Sequence, residues 1–186
     1  MGTELNNIYY NKRFKNSKQY HEPWDNVHPY YQILWKKSVD LLLQNNIKSI
    51  LDIGSGMGQM GDLSYQHKIK YKGIDFSEYA IQFSQSKAKK NQIYECTNAL
   101  EYHYNDKVEG YTSHEFLEHI ENDLLILNKL KPNKFILFTV PNHDSAGHVR
   151  WFLSEEEIIN RYFSCIKNLQ VEKITPNHYL GWGFTK

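Results

Sequence analysis

The apolar positions of this chain fall into two alternating rhythms. From about Pro29 to Asn45, Tyr30, Ile33, Leu34, Val39, Leu41 and Leu42 recur at helical spacing and predict an amphipathic helix. The next run, Ser49 to Ile53, is short, apolar and broken only by Asp52, and predicts a buried strand. A helix from about Gln59 to His67 precedes a second strand ending at Asp75. Ser77 offers an N-cap for a helix through about Lys89. Gln92–Cys96 reads as a third strand. Val108–Thr112, interrupted by Gly110, is read as a fourth mainly because the alternation demands one. Glu115–Leu130 predicts an amphipathic helix with Phe116, Ile120, Leu124, Leu127 and Leu130 near one stripe. Phe135–Val140 is continuously apolar, so it is expected to be buried on both faces. Ser154–Glu157 has the pattern of a capping box and opens a helix to about Phe163. Leu169–Thr175 and Tyr179–Phe184 predict two last strands, joined through Pro176–His178 as a hairpin.

Strands that alternate with helices predict an α/β fold with a parallel sheet and crossover helices. Residues 1–26 are polar and aromatic without a clear period, and are expected to form an arm or lid. Residues 27–186 are expected to form a single domain. A formal charge of +1 supplies no global basic field for nucleic acid. The basic cluster Lys12, Arg13, Lys15 and Lys18 reads as a solvated arm. No apolar stretch is long enough to span a bilayer, and the start has no signal-peptide core. Gly2 lacks the downstream Ser or Thr of a myristoylation site. Cys96 and Cys165 show neither metal-ligand spacing nor a disulfide framework. These features fit a cytoplasmic protein without a membrane partner.

The sharpest local pattern is Asp52-Ile53-Gly54-Ser55-Gly56-Met57-Gly58. Glycines directly after a strand allow a tight turn and let a ligand lie against bare backbone. The turn opens onto a helix N-terminus, whose free N–H groups favour electron-rich ligand groups. Asp75 follows the first glycine by about 20 residues, the spacing of a carboxylate that grips a ribose hydroxyl pair. A dinucleotide fingerprint wants Gly-x-Gly-x-x-Gly or Ala; here the third glycine comes one residue early and position 59 is Gln. No Lys-Ser or Lys-Thr follows, which argues against a nucleoside triphosphate.

At these residues the chain resembles the class I S-adenosylmethionine-dependent methyltransferases. The glycine run matches their cofactor loop and Asp75 their ribose-binding acid. Phe116-Leu117-Glu118-His119-Ile120 resembles the segment after their fourth strand, and Phe135–Asn142 their fifth strand and the loop beyond it. The resemblance spans about residues 35–186. It implies a Rossmann-like, doubly wound, mostly parallel seven-stranded sheet with an antiparallel C-terminal strand. It implies S-adenosylmethionine as cofactor, with S-adenosylhomocysteine as product. The cofactor-binding residues it points to are Asp52, Gly54, Gly56, Gly58, Asp75, Phe76, Asn98, Ala99 and His114. Asn98 falls where relatives carry an Asp for the adenine amino group, and its side-chain carbonyl can still accept that bond.

Methyl transfer needs a base only when the acceptor is a hydroxyl or a protonated amine. Glu115, Glu118 and His119, at i, i+3 and i+4, are expected to share a helical face. His148 lies in the loop Pro141–Trp151, which is expected to line the acceptor pocket. His119 and His148 are therefore the candidate catalytic residues. The same four side chains resemble the metal site of small-RNA 2′-O-methyltransferases, so a divalent metal is possible though not expected, and no metal ligand is assigned. The expected acceptor is a small polar or aromatic molecule methylated on O or N. A metal-dependent RNA 2′-O-methyltransferase and a non-catalytic cofactor-binding subunit are the alternatives, and oligomeric state is left open. About a dozen residues separate Val140 from Ser154, too few for an inserted lid domain. Cover for the site is left to residues 1–26, with Tyr9, Tyr10, Phe14, Tyr20 and Trp24 suited to it.

Overall fold

A computed structural model describes residues 2–186. Seven strands form one sheet: β1 (Ser49–Ile53), β2 (Lys70–Asp75), β3 (Gln92–Cys96), β4 (Gly110–His114), β5 (Phe135–Pro141), β6 (Ile166–Thr175) and β7 (His178–Thr185). Their order is β3-β2-β1-β4-β5-β7-β6. The strands from β3 through β5 pair in parallel, and β7 runs antiparallel between β5 and β6. This is the doubly wound, Rossmann-like sheet expected, closed by the antiparallel hairpin.

Among the described residues, two α-helices precede the sheet, α1 (Asn7–Asn16) and α2 (Pro29–Gln44), and four lie between strands, α3 (Gln59–Gln66), α4 (Glu78–Ser86), α5 (Asp123–Lys129) and α6 (Glu155–Tyr162). Residues of α2, α3 and α4, among them Leu42, Leu63 and Ile81, bury one face of the sheet. On the other face Ile126, Leu127, Ile158 and Tyr162 pack against Leu51, Ile136 and Phe138. β5 is buried at every position, as its unbroken apolar run requires. Cutting Phe138 back to Ala would leave a cavity costing about 3–5 kcal/mol.

Local chemistry sets the boundaries. Ser77 caps α4 by accepting from the Ala80 amide at 3.2 Å, and Ser154 caps α6 by accepting from Glu157 at 3.2 Å. The Glu157 carboxylate reaches back to the Leu153 amide rather than to Ser154. Three expectations are corrected. The fourth strand is Gly110–His114, shifted toward the C-terminus because Gly110 pairs with Ile50 and Phe135 at the strand's start. The helix after Ser77 ends at Ser86, short of Lys89. Glu115–Leu130 is not one helix: Glu115 is left-handed (φ 50°), Leu117–His119 is a single 3₁₀ turn, and α5 begins only at Asp123. The apolar stripe was real, but the chain turns out of β4 before it can wind up.

Residues 2–28 form α1, a 3₁₀ turn (Lys18–His21) and a bend into α2. Phe14 is buried against Met57 and Ala80, so this arm lies on the main body.

Candidate active site

The strand order reverses between β1 and β4, and open α/β sheets hold their ligands in the crevice at that reversal. β1 runs there into three left-handed glycines, Gly54 (φ 78°), Gly56 (φ 50°) and Gly58 (φ 81°), a conformation that costs a side chain dearly. A Cβ on Gly54 would overlap the Phe116 ring. The bend is stitched to β2. The Gly54 and Ser55 amides donate to the Ile74 carbonyl, and the Gly56 amide donates to Asp75 Oδ2 at 2.9 Å. Asp75 Oδ1 accepts from the Ser77 amide at 2.8 Å. Burial raises the Asp75 carboxyl to about 6, with the bonds from Ser77 and Gly56 opposing. Gly58 faces the Tyr94 hydroxyl on the core side and starts α3.

A cavity of about 240 Å³ occupies this crevice. Asp52, Gly54, Gly56, Asp75, Phe76 and His114 all line it. The Asp52 carboxylate is held by the Tyr71 hydroxyl at 2.5 Å and the Thr112 hydroxyl at 2.7 Å. His114 Nε2 meets Ser38 Oγ at 2.9 Å, while its buried Nδ1 has no hydrogen-bond partner. Phe76 lies 5.5 Å from the Tyr10 ring. Asn98 and Ala99 stand apart from this cavity. Asn98 borders a shallow neighbouring groove with Phe76 and Leu5, and its Oδ1 accepts from the Leu100 amide at 2.9 Å. Ala99 is buried in the core.

The same cavity reaches Glu115, Glu118, His119 and His148. Although Glu115 is not helical, the 3₁₀ turn and the loop after β5 still bring the cluster together. One ligand atom each of Glu118, His119 and His148 lies within 4.8 Å of the others. Glu118 is fully buried, and neither carboxylate oxygen has a hydrogen-bond partner. Burial pushes it well above the usual carboxylate range, and the Glu115 charge adds to that. Burial raises Glu115 to about 7 as well, with the Thr139 hydroxyl opposing. His119 is driven down to about 4 by burial, and His148 is lowered for the same reason. Each imidazole has its Nδ1 on a backbone carbonyl: His119 on Gly147 at 2.9 Å, His148 on His143 at 3.0 Å. A carbonyl only accepts, so both rings carry the proton on Nδ1, which leaves each Nε2 free to accept; His119 Nε2 lies 3.8 Å from Glu118 Oε1.

Two residues at the site, His178 and Tyr31, carried no usable sequence signal, and Tyr10, expected only as part of a lid, reaches further in. His178 at the start of β7 sets its Nε2 3.4 Å from Glu115 Oε2. Tyr10 of α1 meets His119 Nδ1 at 2.9 Å. Tyr31 of α2 lines the cavity near His178. All three arrive from elements distant in sequence, so no spacing rule could have joined them to Glu115 or His119.

A family profile described as "Methyltransferase domain" matches residues 51–132. No curated protein sequence matches the chain. Among solved structures, the chain is similar to the N-methyltransferase NodS from Bradyrhizobium japonicum in complex with S-adenosylhomocysteine. That likeness has 16% identity and a TM-score of 0.73, and covers 97% of this chain and 99% of that one. It is similar to the PH0226 protein from Pyrococcus horikoshii at 15% identity and a TM-score of 0.73, covering 94% and 99%. It is also similar to the methyltransferase domain of bacterial CtHen1-C at 18% identity and a TM-score of 0.68, covering 84% and 98%. Likeness at such identity speaks for the fold; the family match gives residues 51–132 their domain type. Residues 51–132 thus match a methyltransferase domain, and the chain as a whole has the fold of an N-methyltransferase solved with S-adenosylhomocysteine.

Proposed function

We propose that the enzyme moves the cofactor's methyl group to O or N of a small polar or aromatic acceptor, within the cavity roofed by the N-terminal arm. One observation carries this reading: a single cavity joins the glycine bend and Asp75 to His119 and His148. In this reading Asp75 accepts from both ribose hydroxyls and Phe76 covers the adenine. Asp52 and the unpartnered His114 Nδ1 take the methionine end. Residues 1–26 act as a lid on a single domain, residues 27–186; Met1 lies outside the described residues. A roof built from residues such as Leu5, Tyr10 and Tyr20 favours a compact acceptor over an RNA end.

The transfer is an in-line displacement. The acceptor's lone pair forms a bond to the methyl carbon, the carbon–sulfur bond breaks, and its electrons stay on sulfur. The protein aligns the partners and keeps water out. His119 Nε2, neutral through burial, accepts the proton that the acceptor sheds. Calorimetry with S-adenosylhomocysteine, and its formation from S-adenosylmethionine across a panel of amines, phenols and alcohols, test the reading. His119→Ala is expected to lower turnover while leaving cofactor affinity intact; equal loss of both contradicts the roles. Tight binding with no transfer to any acceptor would support a cofactor-binding subunit instead.

A second reading is favoured by Glu118. A buried carboxyl whose two oxygens have no hydrogen-bond partner, beside two imidazoles each within ligating reach, is an unused set of metal-ligating groups. Such a set fits a divalent cation held by Glu118, His119 and His148. When bound, the cation would supply Lewis acidity toward an acceptor oxygen. Manganese(II) titration followed by electron paramagnetic resonance is expected to show binding that Glu118→Gln weakens by about 10–100-fold. Absence of binding by the unaltered protein removes this reading and leaves His119 as base.

A further inference from the structure

We propose that the acceptor is an organic cation: a protonated amine whose ammonium sits against Glu115, beside the Tyr31 and Trp35 rings, and whose nitrogen receives the methyl group. This narrows the first reading given above and rests on it.

Charge on the cavity wall is one-sided. Among the described residues that line it stand four carboxyls, Asp52, Asp75, Glu115 and Glu118, against one guanidinium, Arg13, and no lysine. Arg13 is held by the arm: its Nε donates to the Tyr20 hydroxyl at 2.8 Å and its Nη1 to the Tyr9 hydroxyl at 3.2 Å. Asp52 and Asp75 have donors of their own and belong to the proposed cofactor contacts. Glu115 and Glu118 remain. Among the described residues neither pairs with a Lys or Arg; the basic groups beside them are His178 and His119. Burial and the surrounding imidazoles hold His178 near 4, as burial holds His119, so neither ring is a cation at neutral pH. Arg150, whose charge reaches Glu118, is engaged by Asp123 at 3.2 Å and by the Leu117 and Ile120 carbonyls.

Two neighbouring buried acids without a cation are costly to ionise. A guest that carries the charge in removes that cost, and an ammonium brings three N–H donors with it. Glu118 is fully buried and neither of its oxygens has a partner. Glu115 is the carboxyl within reach, its side chain 21% exposed. Its Oε1 accepts from the Thr139 hydroxyl at 2.9 Å; its Oε2 stands 3.4 Å from His178 Nε2, beyond a good hydrogen bond.

The walls suit the same guest. Tyr31 and Trp35 both line the cavity, stacked with ring centres 6.0 Å apart and 30° between planes, and Tyr31 lies 5.6 Å from the His178 ring. Burial, and after it the Glu115 charge, push the Tyr31 hydroxyl up, as expected of a neighbour of that carboxylate. Aromatic faces attract cations most where water is excluded. The arm supplies that exclusion. Asn11 Oδ1 accepts from Ser77 Oγ at 2.6 Å and from the Tyr79 amide at 3.2 Å, and Gln59 donates to the Tyr20 carbonyl at 2.6 Å. An ammonium has no lone pair with which to attack. The adenosyl sulfonium opposes a second cation beside it, so the ammonium sheds a proton to His119 Nε2 before it reacts. The freed pair forms the bond to the methyl carbon, and the carbon–sulfur bond breaks with its electrons on sulfur. The methylated ammonium and S-adenosylhomocysteine leave, and the imidazole returns its proton to water.

The test compares molecules that differ only in the head group. Titrations of the full chain at pH 7.5, with and without S-adenosylhomocysteine, set butylamine against butanol and 2-phenylethylamine against 2-phenylethanol. Each amine is expected to bind at least about tenfold more tightly than its alcohol. Glu115→Gln, of equal size but uncharged, should erase that preference. Tyr31→Leu should weaken both amines by about threefold, and Tyr31→Phe, which keeps the ring, should not. An alcohol held as tightly as its amine, no binding by either amine, or a preference that survives Glu115→Gln overturns the proposal. Should Glu115→Gln fail to fold, the paired ligands and the two Tyr31 variants still decide. Methyl transfer to phenols or alcohols with none to amines strikes this proposal and leaves the proposed function standing. Failure of S-adenosylhomocysteine to bind strikes that function instead, while the ligand-free titrations still judge Glu115.

Discussion

At Asp75, burial and two backbone donors pull the carboxyl's acidity in opposite directions, and burial wins, leaving it near 6. The charged form is the better acceptor for ribose hydroxyls, so protonation competes with the ligand. Affinity for S-adenosylhomocysteine should be flat above about pH 7 and fall about tenfold by pH 5, as the carboxylate takes a proton. Calorimetry at the two pH values checks the direction. Asp75→Ala should remove that dependence and cost about 1–3 kcal/mol of binding at neutral pH. Glycine at 54 is equally exacting. Gly54→Ala combines a left-handed φ with an overlap on Phe116, and should lower stability by about 1–3 kcal/mol in urea unfolding.

Among the elements, the arm is the one whose placement changes what the site is. Its buried anchor is Phe14 against Met57 and Ala80, with the half-buried rings of Tyr10, Tyr20, Tyr79 and Phe83 around it. The polar ties of Asn11 and Gln59 do much of the rest. Elements held by few buried contacts open first. The arm also carries Lys12, Arg13, Lys15 and Lys18, all sites for trypsin. S-adenosylhomocysteine should slow cleavage there, and Asn11→Ala should speed it. Cleavage that ignores the ligand would mean that the arm does not sense the cavity. The short turn bearing Glu118 and His119 is held from another side. Arg150 donates to the carbonyls of Leu117 and Ile120 on either flank of it.

Across the whole molecule, Asp123 ties the site to the far layer of helices. This buried acid takes two bonds from Arg161, at 2.6 and 2.9 Å, one from the Tyr162 hydroxyl at 2.8 Å, and lies 3.2 Å from Arg150. It joins α5, α6 and the loop after β5 in one network. Removing one partner of a buried charged cluster leaves the others uncompensated. Asp123→Ala should therefore cost about 3–5 kcal/mol in urea unfolding, and should also loosen the Arg150 grip on the turn that carries His119.

The sequence by itself determined the sheet, the glycine bend and Asp75. Those features are written in local order: an apolar run of strand length, glycines where only a left-handed backbone fits, and an acid at the end of the next strand. β3 at Gln92–Cys96 and the caps at Ser77 and Ser154 were legible for the same reason. Local order misled where tertiary geometry overrode it. The stripe from Phe116 to Leu130 spells a helix, yet Glu115 must turn left-handed to leave β4, and the winding is delayed until Asp123. Tertiary structure alone decided that Tyr10 and His178 would join His119 and His148. They come from an N-terminal helix, a turn, a loop and a hairpin, and folding, not spacing, sets their separation. It also decided that Glu118 would be buried with nothing to bond, because burial depends on what other elements cover, and no run of neighbouring residues can record that.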